Sequence, residues 1–467
     1  MADFPFQLLI KNTSSDKLTE SLTCTSLLRA IVNRREVYDA LWNDQPVIVK
    51  TFSHKIFAKR HLKREWQGFK LLQNRGLNSP KPLFWGQAGS GRWAVVVEKI
   101  CNSSVVVDVF DQTTEKAKKL ELLILVCKEV AKQHNKGVLQ RDLHLGNFLL
   151  TGDKVFALDP GQIRFSSRPI TRKTGISQLA VLAGCLPETD TDSIAELCNQ
   201  YARARDWQFE ESDKLLFQKY LAWHKKRGIR RALRKSLRTS KRQLRIRADG
   251  YVTVFDRSFC RGAQPLDFIR DIDSLMGNGE ILKNGNTCYV SRLSWNGSEV
   301  VVKRYNHKSF MYSLRNTLMR SRARRGWLHG HQLRMLSIPT PKPLAFIEML
   351  KGPVVWKSYL VTEYVQAQNL YYFLHDNKTT LQQRSKVDEQ IKALLDKLAK
   401  YRITHGDLKH TNILITNDGP VLTDLDGMKV HKWDWVCNIR REKDIARFTK
   451  PLGERTAIEG FRTSRSK

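Results

Sequence analysis

The amino-acid sequence predicts an α+β chain built from two similar bilobal domains in tandem. With 467 residues the chain is too long for one compact core, so two domains are the natural expectation. One set of motifs also occurs twice, in the same order and with the same spacing. In each set a β-strand pattern comes first, and a long amphipathic helix pattern precedes the last motif. We place the two domains at residues 1–248 and 249–467.

The most informative motif is an acid followed by an amide and then by a second acid. Residues 140–147 are QRDLHLGN and lead to Asp159, whereas residues 405–412 are HGDLKHTN and lead to Asp424. In both copies the amide follows the first acid by 5 residues (147−142 and 412−407). The second acid follows the first by 17 residues (159−142 and 424−407). Such a pattern forms the catalytic loop and metal-binding segment of protein-kinase-like phosphotransferases. The predicted fold is therefore two tandem protein-kinase-like bilobal domains.

The elements upstream of the two motifs correspond as well. Each copy has an apolar strand that ends in a lysine, then a helix, a Pro-Lys-Pro break and a second apolar strand. Trp66 lies 14 residues before Pro80, and Trp327 lies 14 residues before Pro341. The predicted strands and helices are 46–50, 61–74, 94–98 and 116–136 in the first copy, and 299–303, 320–335 and 359–363 in the second. A duplication explains this agreement.

Phosphoryl transfer needs groups that position the reactants and cancel negative charge. A strand lysine can reach the α- and β-phosphates of ATP, and Lys50 and Lys303 are the candidates; Glu65 on the adjoining helix would hold Lys50. An aspartate in the loop orients the attacking hydroxyl and accepts its proton, which assigns Asp142 and Asp407 as catalytic. Hard oxygen ligands suit Mg²⁺. The predicted metal ligands are Asn147, Asp159, Asn412 and Asp424.

Two features depart from the usual kinase pattern. Neither copy contains a G-x-G-x-x-G loop, so we expect an ordinary β-turn to cover the phosphates. Alignment on the tryptophans places Gly326 where the first copy has Glu65, and no acid lies between Arg304 and Pro341. The second copy therefore either anchors Lys303 differently or does not catalyse.

Several strings of the sequence carry a family resemblance. They are KREW (63–66), GVLQRDLHLGN (137–147), RSRARRGW (320–327), IPTPKPLA (338–345), HGD (405–407) and TDLDG (423–427). In them the chain resembles the bacterial lipopolysaccharide kinase family, the Kdo and heptose kinases grouped with InaA-like proteins, although Gln140 stands where that family commonly has histidine. The resemblance implies a kinase that uses ATP and Mg²⁺ to phosphorylate inner-core sugars at the cytoplasmic face of a Gram-negative inner membrane.

The net charge and the cysteine spacing indicate the class of partner and the cellular compartment of the protein. A net charge of +34 favours anionic partners such as nucleic acid, anionic lipid or phosphorylated substrates. No recognition motif for nucleic acid accompanies the charge, so we expect none as a specific partner. The eight cysteines form no C-x-x-C pair, which is typical of reduced cytosolic thiols. Without a secretory signal or a bilayer-long apolar run, we expect a cytoplasmic protein, peripheral on the inner membrane.

Two basic regions are candidate contacts for an anionic membrane surface or an anionic glycolipid such as the lipopolysaccharide core. Residues 225–247 hold twelve Lys or Arg and no acid, and their leucines and Ile229 recur near helical spacing. The alternative is a helix that packs on its own domain and leaves its charges solvated. The second region lies at the start of the helix in the second copy. It either lies near the nucleotide phosphates or faces the membrane. Its members are Arg315, Arg320, Arg322, Arg324 and Arg325.

Three functions remain open at this stage. His144, two residues after Asp142, is typical of small-molecule kinases, and this favours a sugar kinase of the lipopolysaccharide core. Lys409 takes that position in the second copy, as in protein kinases, so phosphorylation of protein or of another small molecule is the first alternative. The second is a nucleotide-binding pseudokinase scaffold for core assembly.

Overall fold

The computed structural model describes residues 3–13, 18–31, 34–53, 57–89, 91–187, 190–260, 264–307, 311, 317 and 319–450. The chain divides into two compact units, unit 1 (Met1–Lys226) and unit 2 (Arg227–Lys467). Both contain helices and sheets, as the predicted α+β class requires. The division lies ahead of residue 248, where the sequence suggested it. No helix in the described part of the chain is long and apolar enough to cross a membrane.

Unit 1 begins with a closed, antiparallel, six-stranded barrel. Its strands are β1 (Phe6–Asn12), β2 (Thr19–Ile31), β3 (Arg35–Trp42), β4 (Gln45–Phe52), β5 (Pro82–Ala88) and β6 (Trp93–Glu98). They follow the order β1-β2-β3-β4-β6-β5. Helix α1 (Ala58–Asn74) connects β4 to β5. Alternate residues of β4, Val47 and Val49, are buried in the barrel core with Ile10 and Leu22, as the alternation of apolar residues requires.

The rest of unit 1 is mainly helical and encloses a second core. Its elements are β7 (Ser104–Val105), α2 (Val106–Gln112), α3 (Lys116–Asn135), β8 (Val138–Gln140), β9 (Phe148–Thr151), β10 (Lys154–Ala157), β11 (Ile163–Phe165), α4 (Arg172–Ala183) and α5 (Thr191–Ala204). Leu123, Val126 and Val130 of α3 recur at helical spacing and are buried with Leu179 and Leu197. The core fixes α3, whose end leads into the first acid–amide motif.

Unit 2 contains a seven-stranded antiparallel sheet in the order β12-β13-β17-β18-β16-β15-β14. Its strands are β12 (Gln243–Ala248), β13 (Tyr251–Asp256), β14 (Glu280–Gly285), β15 (Cys288–Trp295), β16 (Ser298–Tyr305), β17 (Pro343–Lys351) and β18 (Val354–Glu363). Helix α7 (Pro265–Asn278) precedes β14, and α8 (Arg322–Met335) precedes β17. Trp327 of α8 is fully buried and packs against Phe346 of the sheet. This contact positions α8 on the sheet.

A shorter helical region completes unit 2. Its elements are β19 (Gln368–Asn369), α9 (Leu370–His375), α10 (Leu381–Lys400), β20 (Ile403–Thr404), β21 (Ile413–Thr416), β22 (Gly419–Leu422), β23 (Lys429–Val430) and α11 (Asp434–Phe448). Thr380 and Gln383 form a capping box at the start of α10. Ile391, Leu394 and Leu398 of α10 are buried in the core of this region, as their helical spacing predicts.

The prediction of one basic helix over residues 225–247 was wrong in its second half. Helix α6 (Glu211–Lys235), which crosses the division between the units, is followed by strand β12. β12 pairs with β13 through a turn at Asp249 and Gly250, whose φ angles are +53° and +77°. Asp-Gly favours this two-residue hairpin, and the alternation of partly buried Leu244 and Ile246 with exposed arginines has the period of a strand. Helical spacing was thus the wrong period here.

The apolar residues of the basic region pack inside unit 2. Ile229 lies against the core around α10, and Leu233 and Leu237 lie against the cluster that contains Trp327. The indole Nε1 of Trp327 donates a hydrogen bond to the carbonyl oxygen of Ser236, at 3.3 Å. The apolar stripe is therefore used for folding, while most of the basic side chains remain exposed.

Candidate active sites

In unit 1, the strand lysine and the helix glutamate meet. Nζ of Lys50, on β4, donates hydrogen bonds to Oε1 of Glu65, on α1, and to the carbonyl oxygen of Leu158, the latter at 3.0 Å. The Glu65 side chain is only 3% exposed, so nearby cations are needed to compensate its charge. β4 and α1 therefore bring these two predicted residues together beside the second acid of the motif.

A residue that sequence reasoning missed completes this cluster. The guanidinium of Arg35 lies 3.6 Å from the carboxylate of Asp159 and 3.8 Å from that of Glu65. Arg35 belongs to β3, in which Val37 is directly opposite Lys50. Alternation places Arg35 on the same face of the barrel as the lysine. The place of Arg35 in the site follows from the pairing of β3 with β4, which local sequence does not reveal.

The loop after β8 holds the first acid and the amide of unit 1. Nδ2 of Asn147 donates to the backbone carbonyl of Asp142, at 2.8 Å, which leaves the amide oxygen as the atom that could bind a cation. The backbone N–H of Leu158 donates to the carbonyl of Asn147, at 2.9 Å, and so places the next residue, Asp159, beside the loop. The Asp142 side chain is 59% exposed, with His144 Nε2 at 3.8 Å. An acceptor hydroxyl could therefore reach it.

The corresponding loop of unit 2 has the same hydrogen bonds. Nδ2 of Asn412 donates to the backbone carbonyl of Asp407, at 2.8 Å. The N–H of Thr423 donates to the carbonyl of Asn412, at 2.9 Å, which places Asp424 next to the loop. Lys409 Nζ lies 2.9 Å from the Asp407 carboxylate. The predicted acid, amide and second acid are thus brought together in both units.

The lysine of unit 2 has a different partner from that of unit 1. Nζ of Lys303 lies 2.5 Å from Oδ1 of Asp424. At the position that corresponds to Glu65, a Cβ on Gly326 would lie 2.6 Å from Cδ2 of Leu360. A side chain at this position would have to displace the Leu360 side chain of β18. The lysine therefore pairs with a predicted metal ligand and not with a helix glutamate.

Two carboxylates with opposite pKa shifts adjoin Lys303. Burial alone would raise the pKa of Asp424, but the charge and hydrogen bond of Lys303 outweigh it and lower that pKa to about 2. Burial raises the pKa of Asp426, whose Oδ2 lies 2.5 Å from Nε of Arg322. The ring of Tyr305 lies between the two cations, with centroid distances of 5.2 Å to Lys303 and 4.6 Å to Arg322. Asp424 is therefore ionised at neutral pH, as a cation ligand must be.

The loops are anchored differently in the two units. In unit 2, Nε2 of buried His405 lies 2.9 Å from the carbonyl oxygen of Thr423, and its backbone N–H donates to Asp444 of α11, at 2.7 Å. In unit 1, Gln140 takes that position, and its side chain donates to Gln133 of α3, at 2.9 Å. Asp444 was not foreseen, because no motif marks it. In unit 1 the side-chain amide of Gln140 thus anchors the loop through α3, whereas in unit 2 His405 anchors it.

The ion pair between Lys303 and Asp424 should make the stability of unit 2 depend on pH. A carboxylate with a lowered pKa contributes stability that is present above its unfolded-state pKa, about 4, and is lost as the pH falls through its folded-state pKa. We expect Lys303→Met to lower the free energy of unfolding at pH 7, and the difference from wild type to shrink as the pH falls from about 4 to about 2. Denaturant unfolding over this range measures the difference, with the exposed Lys443→Met as the control. A difference that stays constant with pH would contradict the assignment.

The comparisons with known proteins find a family that is similar to part of unit 2. Residues 272–452 match the model of the lipopolysaccharide kinase (Kdo/WaaP) family. No curated protein matches the chain. One similar solved structure is WaaP in complex with acyl carrier protein, with 16% identity, 44% of this chain and 88% of that chain covered, and a TM-score of 0.32. The assignment rests on the family match, which confirms the prediction of a phosphotransferase that acts on a sugar hydroxyl. Residues 272–452, less than half of the chain, are similar to the lipopolysaccharide kinase (Kdo/WaaP) family.

Proposed function

We propose that this chain is an ATP- and Mg²⁺-dependent kinase that phosphorylates sugar hydroxyls of the lipopolysaccharide inner core at the cytoplasmic face of the inner membrane. One observation carries the proposal. Within the segment that matches the family, hydrogen bonds of the loop hold the exposed acid Asp407, the amide Asn412 and the partly buried, ionised Asp424 in one site. This is the set of groups that phosphoryl transfer requires.

In unit 2 the proposed roles follow from position and charge. Asp407 is exposed at the loop surface and orients the acceptor hydroxyl and accepts its proton. Asn412 and Asp424 would hold Mg²⁺, which when bound neutralises charge on the phosphates of ATP. Two protein ligands suit Mg²⁺, which usually completes its coordination with water and substrate phosphates. Lys303 would face those phosphates when ATP is bound. Without ATP it compensates the charge of the partly buried Asp424.

We assign the same roles to unit 1, in a second kinase-like domain that arose by duplication. Asp142 would be the base, Asn147 and Asp159 the ligands of Mg²⁺, and Lys50, held by Glu65, the phosphate-binding cation. The matching hydrogen bonds of the two loops support this assignment. The two kinase-like domains would be residues 1–248 and 249–467.

The start of α11 offers a surface suited to an anionic membrane. Trp433 and Trp435 are 55% and 64% exposed, and Val430 and Ile439 are exposed nearby. The basic residues around them are Lys429, Lys432, Arg440, Arg441 and Lys443. Tryptophan favours the interface between lipid and water, and each basic residue near an anionic surface adds about 1 kcal/mol of attraction. We therefore place peripheral membrane contact at this surface.

Replacing both exposed tryptophans with alanine should weaken membrane binding. We expect the Trp433→Ala/Trp435→Ala variant to bind vesicles that contain anionic phospholipid at least about 10-fold more weakly, since it loses two interfacial side chains. Co-sedimentation with the vesicles measures this. Tyr372→Ala, which removes an aromatic residue 63% exposed on α9, is the matched control. Equal binding by the tryptophan variant and wild type would place the membrane contact elsewhere.

Transfer of labelled γ-phosphate from ATP-Mg²⁺ tests the proposed function. The acceptors are lipopolysaccharide that lacks core phosphate and, separately, a general protein substrate. Label in the lipopolysaccharide alone is the expected result. Label in protein alone would favour the protein-kinase alternative, and nucleotide binding without transfer to either acceptor would favour the scaffold.

A further inference from the structure

A basic cavity adjoins the candidate active site of unit 2. It has a volume of about 600 Å³ and lies between the N-terminal part of α8 and the segment that follows Asp426. Arg320, Arg322, Arg325 and His329 line one side, and residues 426–431 line the other. None of these residues has a role in the proposed transfer mechanism. We call this space the basic cavity.

The charges that line the basic cavity are unbalanced. Arg320, Arg322, Arg325 and Lys429 face a single carboxylate, Asp426, which is paired with Arg322. Within the described ranges, neither Arg320 nor Arg325 has an acidic partner within 4 Å, and Nε of Arg325 is buried without a hydrogen-bond acceptor. A buried cationic donor without a partner is costly, and an anionic oxygen would relieve that cost.

The basic cavity is also connected to the reaction site through short contacts. Nδ1 of His329 lies 2.8 Å from the carbonyl oxygen of Leu425, the residue between Asp424 and Asp426. Since a carbonyl can only accept, Nδ1 carries the proton and donates it. The Arg322–Asp426 pair lines the cavity, and Asp426 is two residues from Asp424, which the proposed function assigns to the nucleotide together with Lys303. An anion in the cavity is thus next to the nucleotide but held by a different set of cations.

We propose that the basic cavity binds a phosphate group already carried by the acceptor glycolipid. Planar guanidinium groups converging from one helix are suited to the bidentate recognition of phosphate oxygens, and the cavity is large enough for a phosphate and part of its sugar. This inference rests on the proposed function, because it names the chemistry of the acceptor of the same site. A phosphate already present on the acceptor would therefore strengthen its binding without being required for transfer.

Equilibrium binding without turnover tests the basic cavity. The protein carries Asp407→Asn, and the probes are phosphorylated inner-core oligosaccharide, the same oligosaccharide after phosphatase treatment, inorganic phosphate and ATP-Mg²⁺. Arg320→Gln combined with Lys429→Gln removes two exposed charges without disturbing the core, and Arg325→Gln removes the buried donor. Arg334→Gln, on the same helix, is the control.

We expect both sets of substitutions to weaken binding of the phosphorylated oligosaccharide about 10-fold to 100-fold and to leave binding of the treated oligosaccharide and ATP unchanged. Loss of ATP affinity instead, tighter binding of inorganic phosphate than of the oligosaccharide, or unchanged binding throughout would each overturn the inference. Because no transfer is measured, failure of the kinase assay would count against the proposed function alone.

Discussion

Asp407→Asn is expected to reduce phosphoryl transfer to the lipopolysaccharide core by about 10²-fold to 10⁴-fold, the usual contribution of a general base. Asparagine retains the size of aspartate but cannot accept the proton of the acceptor hydroxyl. The fold should be unaffected, because Asn412 bonds to the backbone of Asp407, and the side-chain pair with Lys409 is exposed. Initial rates of label transfer from ATP measure the loss, and thermal unfolding checks that the fold is intact.

Two further variants give this prediction its controls. Lys409→Gln removes the neighbouring charge and leaves Asp407 in place, so we expect a much smaller effect on transfer. Asp142→Asn makes the same change in unit 1. Loss of transfer in only one aspartate variant identifies the unit that works, whereas loss in both indicates two sites or coupling between them. Full activity in the variant that carries both substitutions would refute the assigned base.

Lys50→Met should destabilise unit 1 by about 3–5 kcal/mol, the usual cost of removing one partner from a buried ion pair. The Glu65 side chain is 3% exposed and, among the residues that the structure describes, would keep only Arg35, 3.8 Å away, as a compensating cation. Denaturant unfolding measures the free energy, and the double-mutant cycle with Glu65→Gln isolates the pair. We expect the double variant to be more stable than Lys50→Met alone, because a neutral amide leaves no buried charge.

An exposed ion pair of the same barrel provides the comparison. Lys99 Nζ lies 2.6 Å from Asp39, with 36% and 22% of the two side chains exposed, and Lys99→Met should cost only about 0–1 kcal/mol. Similar losses in Lys99→Met and Lys50→Met would show that burial of Glu65 does not determine the effect.

The parts of the fold that follow from local periodicity could be predicted. Alternating apolar residues identified the strand that carries Lys50, which extends over Gln45–Phe52, and helical spacing identified α1, which begins a few residues earlier than expected, at Ala58. The distance between acid, amide and second acid is fixed by a short hairpin, so spacing alone located both loops. At these positions each residue's role depends on its near neighbours in sequence.

The remaining features depend on contacts between distant segments. Lys303 and Asp424 are 121 residues apart, and the Leu360 side chain of β18 takes the space beside Gly326 that a glutamate would need. The pairs that Arg35 and Arg322 form are equally long-range and carry no motif. Of the second basic cluster, Arg322 lies beside Asp426, whereas Arg315 is outside the described residues.

Product analysis tests the central claim most directly. Lipopolysaccharide core lacking phosphate is incubated with ATP-Mg²⁺ and wild-type protein, and the isolated oligosaccharide is examined by ³¹P NMR and mass spectrometry. We expect one added phosphomonoester on a sugar hydroxyl, absent when both Asp142 and Asp407 are replaced by asparagine. ATP converted to ADP and inorganic phosphate with an unmodified oligosaccharide, or phosphate found only on protein, would contradict it.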